Sequence, residues 1–218
     1  MRSHSNYSEA ETLERYRIAL ENATNQTLIS TTLSEFGYDK STITAGKKVF
    51  EETRHAYDSN KKETDEASVA YKAFSAASKE LFDSYSLHRK KAKVLYRKEP
   101  DMLIRLEING RTPLSYVKLM ETVRKFYSEI NASEDIQQKL ARLKVTSEEI
   151  KQAENQIIIV NNLRADYLKE KGESQDATKR KDAAFAKMDD WMSEFYAVAR
   201  IAMEDSPQLL ESLGKVVR

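Results

Sequence analysis

Apolar residues return along this chain every three or four positions, the spacing that lines one face of an α-helix. Over residues 8–36 they fall at 13, 16, 20, 23 and then 29, 33, 36. Over residues 113–144 they fall at 114, 117, 120, 123, 127, 130 and then 136, 140, 143. The phase slips near Asn25 and near Ala132-Ser133, which predicts that each stretch breaks into two helices. Gly37 suits the residue after a helix end. Thr146-Ser147-Glu148-Glu149 reads as a capping box opening the next helix, and Asp39 takes that place earlier in the chain. Helices are then expected over about 40–60 and 147–170. Polar tips follow at Ser59–Ser68 and Lys169–Lys181, and long helices at about 67–98 and 177–204. Pro100 and Pro207 suit the first turn of short final helices. No segment alternates as a strand does, so the expected fold is all-α, helices joined by short antiparallel connections into bundles.

The two halves of this pattern superimpose when the chain is shifted by 107 residues. Leu33 meets Leu140, Ile43 meets Ile150, Ala76-Ala77 meet Ala183-Ala184, Ala92 meets Ala199, and Pro100 meets Pro207. Leu103 and Leu106 meet Leu210 and Leu213, and Val94 meets Ile201. The reading is a tandem duplication of a helical-bundle unit, with residues 1–110 as the first repeat and 111–218 as the second. The two repeats either stand side by side or merge into one bundle. Gly110-Arg111-Thr112-Pro113 is the expected linker.

Composition narrows the chemistry. The chain of 218 residues has no cysteine, which excludes disulfides, thiol nucleophiles and Cys-based zinc sites. Its 5 glycines are too few for most phosphate-cradling loops. Lys and Arg number 36 against 35 Asp and Glu, so no global field draws the chain to nucleic acid or membrane. The longest aliphatic run, Ile157 to Val160, is far short of the roughly 20 apolar residues of a membrane span. The polar start, Met1 to Glu14, lacks the apolar core of a signal peptide, so the expected location is cytoplasmic.

The stretch from Ala199 to Gly214, Ala-Arg-Ile-Ala-Met-Glu-Asp-Ser-Pro-Gln-Leu-Leu-Glu-Ser-Leu-Gly, resembles a C-terminal signature of uncharacterised bacterial helical proteins. The likeness extends over about 25 residues, Trp191 to Arg218. It implies a bacterial, all-helical protein and no particular activity.

Three groups of residues could carry function. Glu52 and His55 form a Glu-x-x-His pair whose side chains share a helix face, the spacing of metal ligands in di-iron bundles. The set is incomplete, because neither His4 nor His88 has a glutamate three residues before it. The duplicate positions are Ile159 and Asn162. A basic run, Arg89, Lys90, Lys91, Lys93 and Arg97, follows His88 and could engage several phosphates of a polyanion. Cations at a helix C-terminus also offset the helix dipole without any ligand. The third group is Trp191, Phe195, Tyr196 and Val198, in a helix whose apolar residues cover more than one stripe. Such a helix is central to a bundle or meets a partner. No complete catalytic triad, phosphate loop or metal set stands in the sequence, so no cofactor is expected. The leading expectation is a non-catalytic interaction or scaffold protein that binds a protein partner or itself. Nucleic-acid or other polyanion binding through residues 88–98 comes second, and a metal-binding bundle third.

Overall fold

A computed structural model describes residues 7–214. Outside that span lie His4, part of the polar start and the last four residues of the C-terminal signature. The described residues form helices α1 (Glu9–Asn25), α2 (Thr27–Glu35), α3 (Lys40–Leu95) and α4 (Pro100–Arg105). They continue with α5 (Tyr116–Asn131), α6 (Glu134–Ala141), α7 (Ser147–Ala202) and α8 (Leu209–Ser212). Among the described residues there is no strand, and the fold class is all-α.

Local chemistry sets the helix ends. Ser8 and Glu11 form a capping box at the start of α1. Both predicted phase slips are real breaks. Gln26 takes an extended conformation between α1 and α2, and Ser133 does so between α5 and α6, its hydroxyl accepting from the Ile136 amide. Gly37, at φ 86°, turns the chain after α2, and the Tyr38 amide donates back to the Leu33 carbonyl at 3.0 Å. Lys144 makes the same left-handed turn at φ 56°, and the Val145 amide donates to the Leu140 carbonyl at 3.2 Å. Asp39 then accepts from the Thr42 amide at 2.8 Å, and Thr146 and Glu149 close the expected box.

The predicted polar tips do not form. α3 and α7 each run 56 residues without interruption. The tip sequences hold many Lys and Glu residues and no proline, so helix propensity carries the chain through. At Gly172 a Cβ would meet nothing within 4 Å, so this glycine weakens the helix by about 1 kcal/mol and forces no turn. A stretch that is polar on every side is here a solvated helix.

The chain divides into two compact units. Unit 1 comprises residues 1–64 and 173–218, and unit 2 comprises residues 65–172. The division falls inside α3 and α7 and not at Gly110–Pro113. The cause is helix length: each long helix leaves the unit in which it starts and ends in the other.

In unit 1, α1, α2 and α8 pack with the first part of α3 and the last part of α7, which run antiparallel. The Thr53 hydroxyl donates to the Ala184 carbonyl at 3.2 Å, and the Asn60 amide donates to the Thr178 hydroxyl at 2.9 Å. Gly46 lies under the Trp191 indole, where a Cβ would come within 2.3 Å of the ring. Leu13, Leu20, Ile29, Leu33, Met188 and Phe195 are buried at the centre. Each such side chain contributes about 1.5–3 kcal/mol of burial.

Unit 2 is built from α4, α5, α6, the last part of α3 and the first part of α7. Its centre is aromatic. Tyr85, Phe126 and Tyr127 meet edge to face around Leu140, Ile150 and Val160. Burial leaves several polar atoms without a hydrogen-bond partner, among them the Tyr96 and Tyr116 hydroxyls.

Candidate functional site

The basic run sits on the last turns of α3, where four carbonyls of any helix lack intrahelical partners and cations are favoured. Most of its chemistry is used inside unit 2. Arg89 donates to the Ile108 carbonyl at 3.4 Å and to the Gly110 carbonyl at 2.6 Å. Lys93 reaches the same Gly110 carbonyl at 3.2 Å, and its pKa is lowered by desolvation and by the Arg89 charge. Lys91 donates to the Lys144 carbonyl at 2.9 Å, at the left-handed turn after α6. Three of the five cations singled out in the sequence therefore tie loops to the helix. Lys90 and Arg97 remain exposed, as does Lys98.

His88 is buried. Its Nδ1 lies 3.0 Å from the Tyr127 hydroxyl. Desolvation pushes the imidazole pKa below its usual value; the Glu149 charge opposes this and the Lys91 charge adds to it. Burial pushes the Tyr127 phenol upward, so the pair is neutral at pH 7 and is a core hydrogen bond.

Glu52 and His55 are both exposed on α3. Glu52 pairs with Lys187 at 2.9 Å, and that hydrogen bond is the first cause of its lowered pKa. The partner of Glu52 is thus a cation on α7, and no further carboxylate or imidazole is seen converging on His55 among the described residues.

The aromatic stripe of α7 faces inward. Phe195 and Tyr196 are buried, and Trp191 and Val198 pack half-buried against the same core. Trp191 stacks on Phe195 at 5.5 Å, and both rings meet Tyr38 edge-on. The Tyr196 hydroxyl donates to the Leu213 carbonyl at 3.1 Å, and burial pushes its pKa up to about 12. From the sequence these four residues read as either bundle core or a partner interface, because apolar groups surround the helix. Within unit 1, α1, α3 and the chain around α8 all pack on this segment, which accounts for that breadth.

An open cleft of about 250 Å³ in unit 1 has Leu13 and Phe50 among its lining, with Glu14, Arg17, Glu51 and Arg54 around them. It is smaller than ligand pockets of roughly 300–1,000 Å³. Its charges are matched locally, Arg17 with Glu14 and Glu21, and Arg54 with Asp58.

What the sequence reading missed are apolar residues on solvated helix faces. Val94 is 64% exposed at the end of α3, and Ile201 is 62% exposed at the end of α7. Leu87, two turns before Val94, is 52% exposed. The signal was present: Val94 and Ile201 match in the 107-residue shift, yet neither shares the phase of the buried Ala92 and Ala199. Around Val94 stand the exposed cations Lys90, Arg97 and Lys98; around Ile201 stand the exposed anions Glu194, Glu204 and Asp205.

No described helix is long and apolar enough to cross a membrane. No protein-family model matches the chain, and no curated protein or solved structure is detectably similar to it.

Proposed function

We propose that this protein is a non-catalytic helical scaffold, built by tandem duplication of a unit of about 107 residues, that acts by binding protein through exposed helix faces. Support for the duplication comes from boundaries and turns. Shifting α3 by 107 residues reproduces the bounds of α7, and the start of α1 reproduces that of α5. The four residues with left-handed backbone fall into two pairs at the same spacing, Gly37 with Lys144 and Glu107 with Gly214. Both units then contain elements of both repeats: unit 1 takes α1 and α2 from the first and the end of α7 from the second.

The observation that carries the interaction reading is the pair Val94 and Ile201. Each is an aliphatic side chain held in water at the end of a long helix, where burial would be worth about 1.5–3 kcal/mol if a partner covered it. The groups that suggested other functions are meanwhile used by the fold. Arg89, Lys91 and Lys93 hold carbonyls, and Glu52 holds Lys187.

A photo-cross-linking amino acid placed at Val94 or Ile201 tests this in the cell. Discrete protein adducts are expected from both positions and not from exposed Lys118 on α5. Equal labelling at all three positions, or none at any, would overturn the reading. A second reading, polyanion binding, rests on exposed Lys90, Arg97 and Lys98. It requires affinity for nucleic acid that weakens steeply with salt and is lost on Lys90→Glu.

A further inference from the structure

The exposed ends of α3 and α7 have the same shape of pattern and opposite charge. On α3 and the turn after it, Leu87, Lys90, Val94, Arg97 and Lys98 recur at three- and four-residue steps, a single stripe of exposed side chains. The residues 107 positions later, Glu194, Ala197, Ile201, Glu204 and Asp205, form the same exposed stripe at the end of α7. Aliphatic Val94 corresponds to aliphatic Ile201. Arg97 corresponds to Glu204, and Lys98 to Asp205. The nearest opposing charges in sequence are Glu99 and Asp101 beyond the basic stripe, and Arg200 on the flank of the acidic one.

The asymmetry extends to the units that carry the stripes. Unit 2 has 20 Lys and Arg against 16 Asp and Glu, net +4. Unit 1 has 16 against 19, net −3. A polyanion would be attracted to one stripe and repelled by the other. Neither stripe is covered within the chain, since both central aliphatic residues stay more than half exposed.

We propose that the stripe around Val94 docks on the stripe around Ile201 of a second copy of this chain, helix against antiparallel helix. This names the partner for the interaction reading above and rests on it. Antiparallel packing centred on Val94 and Ile201 sets Lys90 opposite Asp205 and Lys91 opposite Glu204, and puts Arg97 and Lys98 on the Glu194 side, about one turn short of it. The two stripes carry opposite net charge, so docking one on the other brings mainly unlike signs together, whereas docking either stripe on its own kind opposes like charges. Each copy carries one stripe of each sign, so docking is head to tail and adds further copies unless a ring closes. Five residues a side is well below the 20–30 of a stable interface, so the contact is weak and salt-sensitive, with Kd of about 10 μM to 1 mM.

The absence of cysteine allows a direct test on the full chain. Val94→Cys and Ile201→Cys proteins, one of them isotopically labelled, are mixed in equal amounts at low salt and oxidised briefly. The disulfide joining position 94 of one copy to position 201 of the other is expected to exceed either homodisulfide by about tenfold, and to fall to statistical proportion at high salt. Lys90→Glu, Arg97→Glu and Lys98→Glu in the first protein should abolish the excess. Glu194→Lys, Glu204→Lys and Asp205→Lys in the second should then restore it. Exposed sites keep the fold, which a thermal melt of each variant verifies. Statistical proportions at low salt, or no rescue by the paired reversal, would overturn self-docking. In that event, cross-links from Val94 or Ile201 to a different protein would leave the interaction reading standing, and their absence would remove both.

Discussion

Unit 1 and unit 2 place different chemistry at positions 107 residues apart while keeping the same turns. Where unit 2 pairs His88 with Tyr127, unit 1 has Phe195 and Leu20. Where unit 2 buries Tyr85 and Tyr96, unit 1 has Met192 and Met203. The exchange also runs the other way. The Asn60–Thr178 hydrogen bond in unit 1 stands where Tyr167 and Tyr71 meet ring to ring in unit 2. Gly46 under Trp191 stands where unit 2 has Ala153 and Ser84. The shared features are the left-handed turns, the caps and the aliphatic contacts such as Leu33 and Leu140. Those specify the backbone; the core composition above them is free to differ as long as volumes match.

The comparison breaks most completely if the chain is divided at the linker. Each compact unit draws on both halves, so residues 1–110 and 111–218 expressed separately should each lose most of their tertiary structure. Mixing them should restore helicity and a cooperative melt, readable by circular dichroism. Independent folding of either half would contradict the shared units.

Smaller changes act on single units. Gly46→Ala should destabilise by about 1–3 kcal/mol, because Trp191 is pinned between Phe195 and Tyr38 and cannot retreat freely. The reciprocal Ala153→Gly in unit 2 creates no clash and should cost about 1–2 kcal/mol, from helix propensity and the loss of one buried methyl group. Denaturant melts of the two variants give both numbers.

The buried imidazole makes unit 2 the acid-sensitive one. The folded-state pKa of His88 lies below its unfolded value, so between the two values the unfolded chain binds more protons. Stability should therefore be full above about pH 6.5 and decline as the pH falls through the lowered folded-state pKa. Replacing His88 and Tyr127 together by the unit 1 residues, Phe and Leu, should remove that component of the pH dependence. A melt series between pH 7.5 and pH 5 gives the readout. The smallest effect is expected from Tyr96→Phe, which removes a buried hydroxyl that lacks a partner. It should leave stability unchanged or raise it by up to about 1 kcal/mol.

Much of the backbone was legible in the sequence because its signals are local. Spacing located α1, α2, α5 and α6, and single residues such as Gly37, Ser133 and Thr146 marked the breaks. The continuity of α3 and α7 was not legible, since a solvated helix and a polar turn have the same composition; only the absence of proline distinguished them. The candidate site suffered from the same degeneracy. The apolar breadth of residues 191–203 signals either a partner or neighbours on several sides, and the packing around Phe195 and Tyr196 is tertiary information. Val94, by contrast, stood in the sequence only as a match to Ile201 at the 107-residue shift. Its exposure follows from helix phase relative to Ala92, which becomes decisive once the buried side is known.

The most direct measurement of self-docking is sedimentation velocity of the unaltered chain over a wide concentration range, at low salt and above about 0.5 M salt. Interaction through opposite-charge helix ends predicts a weight-average coefficient that climbs with concentration at low salt and stays at the monomer value at high salt. A coefficient independent of concentration in both buffers would contradict it.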